Sequence, residues 1–240
     1  MTTNNLPEAA LFYAQKLHWA VFPLRPKTKA PATEHGFKDA TLDLGEVRAL
    51  WERTPAANVG MATGQVLILD FDTYKPDYAG AELLELLLEE YLTPCTDTAR
   101  GGVQLYFAQR PGLKLGNSSG NLPACVDVRG FGGYTVLPPS QFTEKGKTGT
   151  YTWRAGREAW TVPLAPVPLF VVDLILAQAE TQERPNGQAQ DDVIAEFNRT
   201  HPIAALLTAH GYTQGRSSGG LTRLSRPGRA ASETSIVIAA

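Results

Sequence analysis

The stretch VLILDFDT, residues 66–73, runs four aliphatic residues into Asp70 and Asp72 with only Phe71 between them. Side chains alternate along an extended chain, so these two carboxylates share a face, roughly 6–7 Å apart. Each raises the other's pKa, and a cation or a strong donor is needed to keep both ionised. A hard divalent cation is one such partner, because magnesium takes one or two carboxylates and completes its shell with water and substrate phosphate. The other reading is a strand end entering solvent, where two aspartates merely begin a turn. A third carboxylate comes from CVDVRGFGGYTVLPPS, residues 125–140. Asp127 alternates with Val126 and Val128, so it faces away from them as Asp70 and Asp72 face away from Leu69 and Phe71. Three acids on strand faces of an antiparallel sheet can converge, the arrangement that two-metal phosphoryl transfer requires. Gly130, Gly132 and Gly133 follow in a tight connection where a phosphate or a template backbone can approach closely. Arg129 is expected on the opposite face from Asp127 and ranks below the acids as a phosphate ligand. The simpler alternative for this stretch is a hairpin turn with an ordinary Asp127–Arg129 pair.

The elements that must position these residues are legible in outline. Asn4 or Asn5 caps a first helix, with Pro7 in its opening turn and Ala9, Leu11, Phe12, Ala14 and Leu17 on its buried face. AVFPL, residues 20–24, reads as a strand, followed by a proline-rich basic loop carrying Arg25, Lys27, Lys29 and Lys38. A short helix over 44–53, a strand in NVGMATG and the strand QVLILDFD come next, then an amphipathic helix over 79–92 whose acids form a solvated face. From Thr96 to Trp153 the texture changes to short strands and glycine-rich turns: TDTAR, GVQLYFA, CVDVRG, YTVLPPS and TYTWRA. A helix over about 167–180 closes a first domain, 1–180; the polar stretch 181–190 reads as a linker, and 191–240 as a small basic segment of helices and a hairpin.

Composition sets limits on partners. The 240 residues carry a formal net charge of -2, so any contact with nucleic acid has to come from local patches. One such patch lies between Phe197 and Arg229, which holds five arginines and no acid. Cys95 and Cys125 cannot make a disulfide framework, and the four histidines show no zinc-ligand spacing. The amino terminus lacks the basic and apolar regions of a signal peptide, and there is no run of 18 apolar residues. A soluble, cytoplasmic protein with no membrane partner is expected.

The ordered set PLRPKTKAP, HGFKDAT, PAANVGMATG, LDFD, RGGVQLYF, NSSGNL and VDVRGFGGYTVLPPS resembles the amino-terminal domain of bifunctional DNA primase/polymerases, of the archaeo-eukaryotic primase superfamily common on plasmids and phages. The likeness covers roughly residues 7–170. It implies an α+β fold: an RRM-like antiparallel catalytic sheet joined to an amino-terminal α/β module. It implies Asp70, Asp72 and Asp127 as catalytic ligands of two Mg2+ or Mn2+ ions, with single-stranded DNA template and (d)NTPs as partners. Lys29 and Lys38 match positions that are basic in similar sequences and suit the triphosphate or template; Arg100, Arg129 and Ser118 are further candidates for binding the nucleotide. In longer relatives the segment after the linker leads toward a helicase.

One position departs from the family pattern. Where the motif has a histidine that contacts the nucleotide phosphates, this chain has Gln104. Its amide can donate to phosphate but carries no charge, and charge-assisted bonds are roughly twice as strong. Two functions therefore stand: an active DNA primase/polymerase, and a catalytically weakened primase-like module that binds nucleic acid or nucleotide in a replication or defence complex. A third, a phosphatase built on LILDFDT as an aspartyl-phosphate strand, expects an alternating β/α chain, which residues 95–155 do not provide.

Overall fold

The computed structural model describes residues 5–117, 122–176, 207–214, 221–225 and 235–239. The chain forms two compact units, Met1–Val167 and Pro168–Ala240. The architecture is α+β, with mainly antiparallel sheets and few helices.

The first unit begins with α1 (Leu6–Lys16), capped by Asn5, whose side chain accepts from the Glu8 N–H at 3.3 Å. Its buried face is Ala9, Ala10, Tyr13 and Ala14. The expected face is thus rotated: Leu11, Phe12 and Leu17 are only partly buried, because the small alanines let the helix approach β1 and β2 closely. In chain order follow β1 (Val21–Leu24), α2 (Leu44–Arg53), β2 (Asn58–Ala62), β3 (Val66–Phe71), α3 (Ala81–Glu90), β4 (Cys95–Asp97), β5 (Val103–Ala108), β6 (Val126–Arg129) and β7 (Tyr134–Leu137). The unit ends with a hairpin, β8 (Gln141–Glu144) and β9 (Lys147–Thr150), and two short strands, β10 (Thr152–Trp153) and β11 (Ala165–Pro166).

Two sheets share these strands. One has the order β1-β2-β7; the other has β10-β4-β5-β3-β6, with β11 added parallel to β5. Strand β7 follows β6 directly in sequence yet pairs with β2 in the first sheet, so the glycine connection Gly130–Gly133 is where the chain crosses between sheets. The hairpin β8–β9 turns through Lys145 and Gly146, both at positive φ (49° and 77°), the geometry of a tight hairpin turn.

The core explains the sheet that carries the acids. Leu67, Ile68, Leu69 and Phe71 of β3 have no exposed surface, each contributing roughly 1.5–3 kcal/mol by burial. Val66 and Ile68 pack in the cluster that includes Trp19, Tyr106 and the helices α1 and α2. On the opposite face the sheet is equally closed. Gly80, just before α3, lies so near that a Cβ there would fall 2.4 Å from Val126 and 3.3 Å from Phe71.

Asn58, 1% exposed, ties the basic loop to the hairpin. Its amide donates to the carbonyls of Thr28 (2.8 Å) and Gln141 (2.6 Å), and its oxygen accepts from the Gln141 N–H at 3.0 Å. This is what holds the Lys29 loop against the body of the unit.

In the second unit, α4 (Leu169–Leu176) is strongly apolar, with Phe170, Val171, Val172, Leu174 and Ile175 buried. The strands β12 (Thr213–Gln214), β13 (Leu221–Ser225) and β14 (Ser235–Ala239) form a three-stranded antiparallel sheet. The linker 181–190 lies outside the described residues, and of the segment of helices and a hairpin expected over 191–240 only 207–214, 221–225 and 235–239 are described.

Replacing Asn58 by alanine is expected to lower stability by roughly 2–4 kcal/mol, since buried backbone groups lose their partners. Urea denaturation of the variant checks this, and an unchanged midpoint would contradict it.

Candidate active site

Asp70 and Asp127 stand directly opposite each other, because β3 pairs antiparallel with β6 in a register that sets Ile68 against Arg129 and Asp70 against Asp127. On its other side Asp70 faces Gln104 of β5. Asp70, Gln104 and Asp127 therefore share one face of the sheet, continuous with Ile68 and Tyr106 of the core. Asp70 is only 9% exposed.

Arg129 belongs to the same face. Its Nη2 lies 2.8 Å from Asp127 Oδ2 and 3.9 Å from Asp70 Oδ2, so one guanidinium serves both carboxylates. The expectation that Arg129 points away from Asp127 is overturned. Residues two apart on a strand point the same way, and β6 runs without a bulge through Arg129.

Asp72 lies one residue past β3, where its N–H still donates to the Cys125 carbonyl at 2.9 Å. Its carboxylate is held by Lys75 Nζ at 2.6 Å and accepts from the Tyr74 hydroxyl at 2.9 Å. Among the described residues, no group of three or more His, Cys, Asp or Glu side chains is gathered to hold a metal ion.

The electrostatics follow from burial. Desolvation, and then the charge of Asp72, push the Asp70 carboxyl up to about 6, against the lowering effects of Arg129, Lys29 and the Gln104 hydrogen bond. Burial, with Asp72 as hydrogen-bond acceptor, raises the Tyr74 hydroxyl to about 12. The hydrogen bond to Asp72 raises the Lys75 ammonium, keeping it charged. A carboxylate buried beside another acid and facing a guanidinium is a place that asks for positive charge. In that respect Asp70 and Asp127 fit a divalent cation, whereas Asp72 fits one only on leaving Lys75.

A cleft of about 240 Å3 opens over these residues. Asp70, Gln104, Arg129 and Lys29 line it, together with Gly132 and Gly133 and an aromatic wall of Phe37, Tyr134 and Tyr151. The glycine connection is pressed against residues 115–117. A Cβ on Gly130 would lie 2.1 Å from the Leu115 carbonyl, and one on Gly133 would lie 2.2 Å from Asn117 Oδ1. Thr63 Oγ1 and Asn117 Oδ1 bind the Gly130 carbonyl (2.6 Å) and N–H (3.0 Å), fixing the turn.

The other expected site residues are distributed around this cleft. Lys29 is in it, with its ammonium 5.3 Å from the Phe142 ring centre. Arg100 lies on the turn before β5, bound to Glu144 at 2.6 Å and stacked over Tyr74. Lys38 lines a separate depression with Thr41, Glu46 and Arg53. Ser118 falls outside the described residues. Asn117, Thr135 and the aromatic wall were not singled out by sequence. For Asn117, its place beside a glycine-rich connection was the available signal.

Buried Asp70 thus faces half-buried Asp127 across adjacent antiparallel strands, beside a cleft lined by Lys29, Arg129 and the glycine connection. The family model for the amino-terminal domain of bifunctional DNA primase/polymerases matches residues 10–170. The chain belongs to that family, and its function is of the primase/polymerase type. No curated protein matches it. No helix among the described residues is long and apolar enough to cross a membrane.

Because the folded-state pKa of Asp70 is raised, its contribution to stability is full below the unfolded value and is lost as pH rises through about 6. With EDTA present, the expected loss is roughly 2–3 kcal/mol. Urea midpoints measured from about pH 4 to pH 8 should fall more for the wild type than for Asp70→Asn. Parallel profiles would contradict the assignment.

Proposed function

We propose that the chain is a template-directed nucleotidyltransferase that primes and extends DNA, acting on single-stranded template with (d)NTPs in plasmid or phage replication. Family membership supports the class of reaction. The observation that carries the assignment of the site is the register that sets Asp70 against Asp127 with Arg129 between them at the cleft.

In this reading Asp70, Asp127 and Asp72 would hold two Mg2+ or Mn2+ ions. When bound, such ions neutralise the triphosphate and lower the pKa of the attacking hydroxyl. The 3'-oxygen of a primer, or of a first nucleotide, bonds to the α-phosphorus; the bond to the β-phosphate oxygen breaks, and pyrophosphate leaves. Most of what the protein supplies is position and charge. Arg129 and Lys29 place cationic groups in the cleft for the triphosphate. The open side of Gly132 admits phosphate or sugar close to the backbone, and the partly exposed Phe37 and Tyr134 offer apolar surface to a base. Asp72 would join Asp70 and Asp127 as a ligand only on giving up its ion pair with Lys75. Arg100 and Lys38, set outside the cleft lining, are left to the template strand.

One observation favours the second reading, a nucleic-acid- or nucleotide-binding module of low catalytic power. Asp72 is tied to Lys75 and Tyr74 rather than gathered with the other two acids.

Primer extension and de novo priming with Mg2+ and Mn2+ decide between the two. The wild type is expected to form product. The double variant Asp70→Ala, Asp72→Ala is expected to lose at least about a thousandfold in rate, about 4 kcal/mol of transition-state stabilisation. Wild-type protein that binds primed DNA but makes no metal-dependent product would leave only the binding module.

A further inference from the structure

Gln104 is the second residue of β5, opposite both Asp70 on β3 and Thr96 on β4. It is 4% exposed. Three hydroxyls converge on its Oε1: Thr135 at 3.1 Å, Tyr106 at 3.3 Å and Thr96 at 3.5 Å. Its side chain stands beside that of Asp70 across the β3–β5 pairing, close enough to hold the Asp70 carboxyl down.

The chemistry of the partners fixes the orientation. An ionised carboxylate only accepts, so the NH2 end must face Asp70 and the oxygen must face the hydroxyls, all of which can donate. Those hydroxyls come from three strands, and one of them, Thr135, lies on β7 of the other sheet. The amide is therefore locked across the junction of the two sheets, with its donor end directed at a catalytic carboxylate. A group so buried and so fully engaged on its oxygen side is poorly placed to turn toward a substrate phosphate.

We infer that Gln104 is a positioning residue for Asp70, and that this chain has exchanged a phosphate-contacting side chain for one that orients a carboxylate. The inference rests on the nucleotidyl-transfer reading of the site and gives the glutamine a role within it. Groups that hydrogen-bond to metal ligands orient them, and losing one typically lowers metal affinity about tenfold or more.

The test measures Mn2+ binding without nucleotide, by electron paramagnetic resonance, alongside kcat and KM for dATP in primer extension. Gln104→Met keeps the length and volume but removes the donor. It is expected to weaken Mn2+ binding about tenfold and to lower kcat, with KM for dATP within about threefold of wild type. Thr135→Val removes one lock on Oε1 without touching Asp70, and should show the same pattern in smaller measure. It carries the test if Gln104→Met does not fold. Gln104→His restores the residue type of the family motif and is expected to bring no gain in KM.

Unchanged Mn2+ affinity in Gln104→Met with KM raised tenfold, or a tenfold lower KM in Gln104→His, would overturn the inference while leaving the polymerase reading intact. If Gln104→Met does not fold, unchanged Mn2+ affinity in Thr135→Val overturns it. Wild-type protein that neither binds Mn2+ nor extends a primer would remove the reading beneath it.

Discussion

Placing an acid in the middle of a core sheet is the constraint on which the rest of this structure depends. Asp70 follows four buried aliphatic residues and is itself almost covered. A buried charge is costly unless it is paired and hydrogen-bonded. Arg129 supplies the pairing from β6, Lys29 adds a second positive charge from the basic loop, and Gln104 supplies a donor from β5. Each of these needs its own support. Asn58 anchors the Lys29 loop, Thr63 and Asn117 hold the turn after Arg129, and Thr135 reaches across from the other sheet to orient Gln104.

The crossing of β7 into the first sheet makes this possible. Had the chain after Arg129 formed an ordinary hairpin with β6, the carboxylates would have had a solvent-facing strand beside them. Instead the glycines let the chain leave the six-stranded sheet within four residues, and Gly130 is packed too tightly for any side chain. The cleft lies at that departure, with Asp70, Gln104 and Arg129 on one sheet and Tyr134 and Thr135 on the other.

Much of this was legible in the chain because it is local. The alternation in β3 and β6, the Asn5 cap and the helix periodicity of α2 and α3 all read directly from neighbours. The pairing of strands did not. YTVLPPS reads as another strand of the same run, and nothing within it reveals that its partner is β2, more than seventy residues earlier in the chain. The face of Arg129 was readable from the two-residue period alone, and expecting it opposite Asp127 went against that period. The β8–β9 hairpin had a signal in its Lys-Gly turn, but its flanking threonines and charges lack apolar alternation. The buried face of α1 was misjudged because alanines, not the larger Leu11 and Phe12, mark where a helix lies closest to a sheet. Gln104 could be flagged from sequence only as a departure, since its hydrogen-bond partners come from three other strands.

The proposed reading is that Asp70 and Asp127, both contacted by Arg129, would hold a divalent cation for nucleotidyl transfer. Crystals soaked with Mn2+ and a nonhydrolysable nucleotide, measured by anomalous scattering, test it most directly. The predicted result is a manganese peak at Asp70 and Asp127, with the Arg129 guanidinium withdrawn from Asp127 toward the triphosphate. A nucleotide bound in the cleft with manganese elsewhere, and Arg129 still on both acids, would contradict it.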